Sequence, residues 1–239
     1  VLVVLVLMSI GLAIKSGLFP FHSWMPDAYG YSTASASAIL SGLVSKAYII
    51  LLIKIFYRVV GIDFIVISEM MNVLFVFGLV GMIMGSLSAI LEKDIRRMIA
   101  FSSVAQIGYI YMGIGLGIEQ GYVAAVYHIL HHAATKALLF ISVVGLSNVS
   151  GGSKQFPDLR GAGYRHRSAG VAFTVGSFSM VGLPMFSGFI SKYLQRLNKY
   201  KWILKYHAGN KKLFCLNVGC KIVGYSNMCR LIRLIYGHR

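Results

Sequence analysis

The sequence predicts an all-α protein, a polytopic transmembrane bundle with about six spans, two of them interrupted by proline. Mean hydropathy is +0.72, and 57% of residues are hydrophobic while only 13% are charged, which is more apolar surface than one soluble core can bury. Apolar runs of about 20 residues, the length that crosses a bilayer, recur through most of the chain. The predicted spans cover approximately residues 1–19, 34–57, 70–91, 97–117, 121–147 and 168–192.

The first apolar run, residues 1–14, lacks the basic start, the initiator methionine and the cleavage site of a signal peptide. We interpret it as a helix whose beginning is missing, and we therefore expect the chain to be a fragment.

Positive charge is concentrated at the carboxyl end. Ten of the 23 Lys and Arg residues lie in 193–239, which contains no acidic residue, together with Cys215, Cys220 and Cys229. This distribution argues against a nucleic-acid partner for the membrane part. The tail is either a native basic segment attracted to anionic lipid or a sequence read out of frame after a break near Lys192, and we favour the second interpretation. Residues 1–192 are accordingly treated as the membrane domain and 193–239 as a tail of doubtful frame.

Basic residues near the span ends predict the orientation in the membrane. The loops after spans 2 and 4 are flanked only by Lys54 and Arg58. The loops after spans 1, 3 and 5 hold seven basic residues, namely Lys93, Arg96, Arg97, Lys154, Arg160, Arg165 and Arg167. The odd-numbered loops are therefore predicted to be cytoplasmic.

Two lysines stand beside helix-breaking sequences. Lys15 ends an apolar run and is followed by Pro20, and Lys192 follows Pro184 by eight positions. Irregular backbone inside a membrane persists only where protein or water satisfies its polar groups, so we expect Lys15 to face a hydrated interior. The alternative is that Lys15 lies near a span end and extends to the membrane surface. Two interrupted segments indicate a transporter built from inverted repeats.

Further ionisable residues lie inside apolar runs. Lys46 is near the middle of span 2, with about ten residues on either side. In span 5, His128, His132 and Lys136 are four residues apart and should form a ladder on one helical face, with His131 beside it. Because histidine changes charge near neutrality, such a ladder can pass protons.

Two alternatives for these histidines remain open. They could form a structural cluster, or His128 and His132 could bind zinc as a pair four residues apart. The hydrolase motif H-E-x-x-H is absent because Ile129 stands at the glutamate position, and no third ligand is apparent, so no metal site is assigned.

Four segments, in order, resemble motifs of one known family: residues 15–28, 92–108, 128–140 and 183–192. They are similar to the proton-translocating antiporter-like subunits of respiratory NADH:quinone oxidoreductase, Mrp-type sodium/proton antiporters and membrane-bound hydrogenases. The resemblance implies that residues 1–192 correspond to roughly the seventh to twelfth helices of a longer subunit. The sequence departs from the family pattern at residues 32–38 and at Met185, where prolines are common.

By this resemblance, each ionisable residue acquires an expected role. Lys15 is the lysine of the first broken helix, and its carboxylate partner would belong to an earlier helix that this chain does not contain. Lys46 is the central lysine of the next helix, and Lys192 is the lysine after the second broken helix. Lys136, together with His128 and His132, forms the central relay.

The resulting hypothesis is proton transfer along a hydrated axis in the complete protein, with sodium coupling left open. Its members are Lys15, Lys46, His128, His132, Lys136 and Lys192. A charge change on one lysine would alter the proton affinity of its neighbours. No motif for nicotinamide, flavin, quinone or an iron–sulfur cluster is present, so no catalytic residue or cofactor is assigned.

Redox chemistry would then belong to partner membrane subunits. The expected location is the inner (plasma) membrane of a bacterium or archaeon rather than a mitochondrion. The alternative function is a non-transporting helical scaffold in the membrane, or an inactive fragment.

Overall fold

The computed structural model describes residues 2–61, 69–206 and 235–236, and within these residues it contains helices but no β-strand. The helices are α1 (Leu2–Ser16), α2 (Trp24–Tyr31), α3 (Ala34–Val60), α4 (Met70–Leu91), α5 (Ile95–Gly115), α6 (Glu119–Val149), α7 (Ala162–Arg165), α8 (Arg167–Val181) and α9 (Ser187–Tyr206).

Four helices, α3 to α6, are long and apolar enough to cross a membrane, and they coincide with predicted spans 2 to 5. A break lies at the end of predicted span 1, and another divides predicted span 6. The first break separates α1 from α2, and the second separates α8 from α9. Both α1 and α8 have 15 residues, less than the length of about 20 residues that a full crossing needs. The prediction of an all-α membrane bundle is confirmed.

Glycine, rather than proline, ends the helix at both breaks. Gly17 and Gly182 have φ values of 77° and 80°, the left-handed conformation that commonly ends a helix. Pro20 and Pro184 follow each glycine within three residues and lie in the non-helical segment. The prolines therefore prevent the helix from continuing after the glycine has ended it.

Helix α5 occupies the centre of the bundle. In the most apolar stretch of this helix, 83% of the residues are buried. Its close contact with α4 depends on glycine. A Cβ atom on Gly108 would lie 2.6 Å from the Gly78 carbonyl oxygen, and one on Gly78 would lie 2.6 Å from the Met112 nitrogen. Small residues at such positions allow helix backbones to approach closely in a membrane. The remaining faces of α5 are consequently available to α2, α6 and the polar residues described below.

The loops after predicted spans 1, 3 and 5 lie together at one end of the bundle. The Ile95 amide donates to the Lys154 carbonyl oxygen at 3.1 Å, and the Phe156 amide donates to the Lys93 carbonyl oxygen at 3.2 Å. Lys154 also donates to the carbonyl oxygen of Gly30 at 3.2 Å. Three loops that the charge pattern assigns to one side thus share one end, and their cytoplasmic location remains a prediction.

The sequence that replaces the prolines expected at residues 32–38 forms the entry to α3 through its hydroxyl groups. Ser32 and Ser37 are hydrogen-bonded at 2.7 Å, and Ser37 also donates to the Tyr29 carbonyl oxygen at 2.8 Å. Met185, the second departure, has a φ of 78° and is fully exposed in the second break.

Helix α9 continues past Lys192 to Tyr206. No helix ends at Lys192, so the structure does not mark a change of reading frame there. That interpretation of the tail remains a prediction. Most of the tail, including all three cysteines, lies outside the described residues. Ile235 and Tyr236 are described, and Tyr236 contacts Tyr164 with ring centroids 5.2 Å apart.

Candidate proton-transfer site

A cluster of buried basic side chains lies between α3, α5, α6 and α9. Lys136, on α6, is fully buried among protein atoms. Its ammonium group donates to the Ile99 carbonyl oxygen at 2.6 Å and to the Ser102 hydroxyl at 2.5 Å. Ser102 in turn donates to the same carbonyl at 2.8 Å. A lysine inside the bundle is thus stabilised entirely by neutral oxygen atoms of α5.

Lys46, on α3, is 3% exposed and donates to the Ser41 carbonyl oxygen. Ser41 belongs to a π-helical segment, Leu40–Val44, that directly precedes the turn carrying Lys46. Such wide turns are frequent at functional sites. The π-helical segment places the Ser41 side chain against α5.

A hydrogen-bonded bridge connects the surroundings of the two lysines. The hydroxyls of Ser41 and Ser103 lie 3.2 Å apart, and Ser103 donates to the Ile99 carbonyl oxygen at 3.2 Å. That carbonyl also accepts from Lys136. Lys46 itself binds the Ser41 carbonyl, so one turn of α5 links the residue that binds Lys46 to Lys136, 90 positions later in the sequence.

The predicted ladder on α6 is present in the structure. The rings of His128 and His132 are stacked with centroids 6.1 Å apart and an interplanar angle of 6°. His128 Nε2 lies 2.9 Å from Gln106 Oε1, and Nδ1 lies 3.0 Å from the Ser191 hydroxyl. His132 is fully buried, and neither of its ring nitrogens has a hydrogen-bond partner within the described residues. His132 is accordingly positioned by packing between His128 and Lys136.

Lys192, on α9, joins the cluster from the second break. Its ammonium group donates to the Met180 carbonyl oxygen and, at 3.4 Å, to that of Val181, the last two carbonyls of α8. It also lies 5.3 Å from the centre of the Tyr109 ring. The end of a helix carries partial negative charge on its unpaired carbonyls, so a cation is stabilised there. Lys192 thus binds the end of one half-helix from the start of the next.

Lys15 does not join the cluster. It is exposed on α1, and within residues 2–61 and 69–206 no hydrogen bond or ion pair holds its side chain. The expected hydrated interior around Lys15 is therefore not formed by the described residues of this chain. Its membership of the proton path remains a prediction that rests on the resemblance.

Acidic residues are kept away from the cluster. In the part of the chain that the structure describes, they lie at helix ends and in loops: Asp27, Glu69, Glu92, Asp94, Glu119 and Asp158. Within the same part, no three His, Cys, Asp or Glu side chains come together as a metal site would require. The titratable side chains of the described cluster are therefore all basic.

Comparison with known sequences decides the family. Residues 1–208 match the profile of the family described as NADH:quinone oxidoreductase/Mrp antiporter, transmembrane. The chain belongs to this family. It is 37% identical over 193 residues to NADH-quinone oxidoreductase subunit N of Desulforudis audaxviator (strain MP104C), a match covering 81% of this chain and 38% of that relative.

Solved structures of antiporter-family complexes have the same fold. The chain superposes on a chain of the Mrp complex from Dietzia sp. DQ12-45-1b with a TM-score of 0.87 and 28% identity, covering 100% of this chain and 43% of that one. A chain of the membrane-bound sulfane sulfur reductase, an archaeal respiratory membrane complex, gives a TM-score of 0.81 and 29% identity, with 95% and 45% coverage. The chain thus spans less than half the length of the proteins it resembles.

The sequence analysis assigned no role to the polar residues that surround the cluster, and those of α5 are the clearest case. Ser102, Ser103 and Gln106 lie inside a motif that carried the resemblance, but no role was assigned to them. Gln106 follows Ser103 by three positions and Ser102 by four in an apolar helix, so the three side chains lie on one side of it. This spacing was a usable signal. It resembles the spacing of the ladder on α6, and the two polar faces could have been predicted to pack against each other.

Proposed function

We propose that the protein translocates protons through a cluster made of the buried residues Lys46, Lys136, His128 and His132 and the half-buried Lys192. It would do so as a membrane subunit of a respiratory NADH:quinone oxidoreductase, an Mrp antiporter or a related membrane-bound complex. The observation that carries this proposal is the bridge between α3 and α5. Lys46 binds the Ser41 carbonyl, the Ser41 hydroxyl contacts Ser103, and Ser103 and Lys136 share the Ile99 carbonyl. A structural core has no need of two lysines at this depth, because each is costly to bury in a membrane.

The chemistry of the cluster supports a relay. Histidine and lysine each exist as a neutral base and a protonated acid, so a proton can pass from one to the next while the number of charges stays constant. Without a buried carboxylate among the described residues, two neighbouring bases protonated together would repel each other. A proton on one base therefore disfavours a proton on its neighbour, so a proton that enters the cluster favours release of another.

The wider setting of the site is part of the same proposal. The similar structures are multi-subunit membrane complexes, which supports other membrane subunits as partners. A similar bacterial protein supports the plasma membrane of a bacterium or archaeon as the location. Protons are the proposed substrate. The all-basic composition of the described cluster offers no anionic ligand for sodium, so sodium coupling would need groups outside it.

The experiment that tests the proposal is Lys46→Met in the complete protein, reconstituted with its partner subunits into proteoliposomes. Methionine fits the space and the membrane but carries no proton. We expect normal assembly and the loss of most proton flux. The matched control is Lys54→Met, because Lys54 lies on the same helix but is exposed, and this variant should retain wild-type flux.

Two outcomes would contradict the proposal. Wild-type flux in Lys46→Met would remove this lysine from the path. An absence of flux in the wild-type protein, with normal assembly, would favour the scaffold function instead.

A further inference from the structure

Tyr109, on α5, contacts two bases of the cluster and has no role in the relay described above. Its ring centroid lies 6.0 Å from that of His128, and the Lys192 ammonium lies over the Tyr109 ring, 5.3 Å from its centre. An ammonium within about 6 Å of an aromatic centre is attracted by the negative face of the ring. Tyr109 is therefore placed to act on a base of α6 and on a base of α9 at once.

The position of the Tyr109 ring is set by α5 and its neighbours. The ring is partly buried against a small apolar cluster, which contains Phe75, Met112 and Leu116. One turn earlier on α5, Gln106 Oε1 lies 2.9 Å from His128 Nε2. Residues three apart on a helix are neighbours on its surface, so α5 presents an amide and an aromatic ring side by side. The amide contacts His128, and the ring contacts both His128 and Lys192.

The Lys192 side chain reaches the ring across the second break. A Cβ atom on Gly182 would lie 3.0 Å from Lys192 Cδ, so the glycine that ends α8 also leaves room for the lysine stem. At the tip of the side chain, the carbonyl oxygens of Met180 and Val181 accept hydrogen bonds from the ammonium. These two carbonyls belong to α8, whereas the aromatic ring belongs to α5. Tyr109 is therefore the contact that ties the ammonium to the helix that also binds His128.

Repulsion between the bases explains why such a contact is needed. The proposed relay requires that a proton on one base disfavour a proton on its neighbour, and this effect weakens as the distance between the charges grows. A protonated lysine on a flexible four-carbon stem can move away from a protonated histidine unless something attracts it in place. A carboxylate would hold the ammonium but would also favour retention of its proton. An aromatic ring attracts the ammonium without adding a negative charge.

We propose that Tyr109 is a positioning residue, whose ring holds the protonated Lys192 next to His128 by a cation–π contact. This inference rests on the proposed function and adds to it a residue that transfers no proton itself. The ring keeps the second break within electrostatic reach of the ladder on α6. The described cluster thus includes an aromatic platform on α5 as well as its titratable groups.

The first test removes the ring in the complete protein, reconstituted with its partner subunits into proteoliposomes. Tyr109→Leu keeps an apolar side chain but has no aromatic face, so we expect normal assembly and a proton flux lower by roughly three- to tenfold. Tyr109→Phe keeps the ring and should retain most of the flux. Wild-type flux in Tyr109→Leu, or an equal loss in the two variants, would overturn the proposal.

Fluorinated phenylalanines at position 109 separate the attraction of the ring from its packing. Each added fluorine withdraws negative charge from the ring face and changes the size of the ring little, so the attraction for a cation weakens. We expect flux to fall stepwise from Tyr109→Phe through rings with one, two and three fluorine atoms. The matched control is the same series at Phe173, a buried ring of the main apolar core on α8, where flux should not follow the number of fluorines. Flux that is independent of fluorination at position 109 would contradict the proposed role of the ring.

Thermal unfolding in detergent gives a readout that does not depend on proton flux. The trifluorinated ring at position 109 should lower Tm, relative to Tyr109→Phe, when Lys192 is present, but not in Lys192→Met, because the cation is then missing. An equal decrease in both backgrounds would mean that the ring only packs, and the cation–π contact would be refuted. Wild-type flux in Lys46→Met would instead contradict the proposed function itself.

Discussion

The two helix breaks differ in which groups bind the carbonyls at the end of the broken helix. In the first break, the Gly17 amide and the Trp24 indole both donate to the Ile14 carbonyl oxygen, at 3.2 and 3.1 Å. In the second break, the Gly182 amide takes the equivalent Ser179 carbonyl at 3.1 Å, and Lys192 binds the last two carbonyls. A neutral side chain thus completes the first break, whereas a cation completes the second.

This difference follows from the position of each lysine relative to its break. Both breaks contain the dipeptide Gly-Leu directly after the helix, at residues 17–18 and 182–183. Lys15 precedes its break, and its exposed side chain makes no hydrogen bond within the described residues. Lys192 follows its break, so its side chain can reach back to the end of α8. Of these two lysines, the one that follows its break is the one bound to it.

The strongest test of the comparison is the pair Lys192→Met and Lys15→Met. Lys192→Met removes both a proposed proton carrier and the group that binds two helix-end carbonyls, so we expect loss of flux together with destabilisation of about 1–3 kcal/mol. Lys15→Met should leave stability unchanged, because no described contact is lost. Thermal unfolding of the purified proteins in detergent and flux in proteoliposomes measure the two effects separately.

Equal stability of the two variants would contradict the proposed difference between the breaks. If Lys15→Met loses flux at unchanged stability, Lys15 belongs to the proton path without a structural role in this chain. That result would support the role that the resemblance assigns to it.

The sequence predicted these breaks and the ladder because local rules govern them. Glycine and proline restrict the backbone directly, and a spacing of four residues fixes a helical face whatever surrounds it. The environment of Lys15 was not predictable in the same way, since it depends on which other helices lie beside α1. Lys192 was predicted as a site residue, but its carbonyl partners required knowledge of the angle at which α9 begins.

A second test asks whether the second break is connected to the buried lysines through the histidines. His132→Gln keeps a polar side chain of similar reach but removes a group that can bind and release a proton. The cost in stability should be small, because hydrogen bonds between helices in membranes average about 0.6 kcal/mol and His132 makes none within the described residues. We expect flux to fall strongly across about pH 6 to 8, the range in which an unperturbed histidine changes charge.

Wild-type rates and pH dependence in His132→Gln would show that protons bypass this ring. The cluster would then be divided into two parts, one around Lys46 and Lys136 and the other around Lys192. Gln106→Leu, which removes the partner of His128 Nε2, would show whether the second part still functions alone.

The roles of the serines of α5 were not predicted from the sequence. Lysines and histidines in apolar helices attract attention because their burial is costly, whereas serine in a membrane helix usually satisfies its hydroxyl with a carbonyl of its own helix. Ser102 and Ser103 make such bonds to Ile99, and they also contact Lys136 and Ser41. Only the packing of α3, α5 and α6, including the π-helical segment around Ser41, gives these serines a second role.

The smallest expected effect concerns Trp24, the neutral counterpart of Lys192. Trp24→Phe keeps an aromatic ring and removes only the indole donor to the Ile14 carbonyl, which the Gly17 amide still binds. The indole bond is exposed, and the Ile14 carbonyl keeps the Gly17 amide as a partner in the variant. We therefore expect destabilisation of about 1 kcal/mol or less and no change in proton flux. Thermal unfolding beside Lys192→Met provides the comparison. If Trp24→Phe lowers thermal stability as much as Lys192→Met does, the indole stabilises the first break as strongly as the ammonium group stabilises the second. The charge of Lys192 would then not explain the difference between the two breaks.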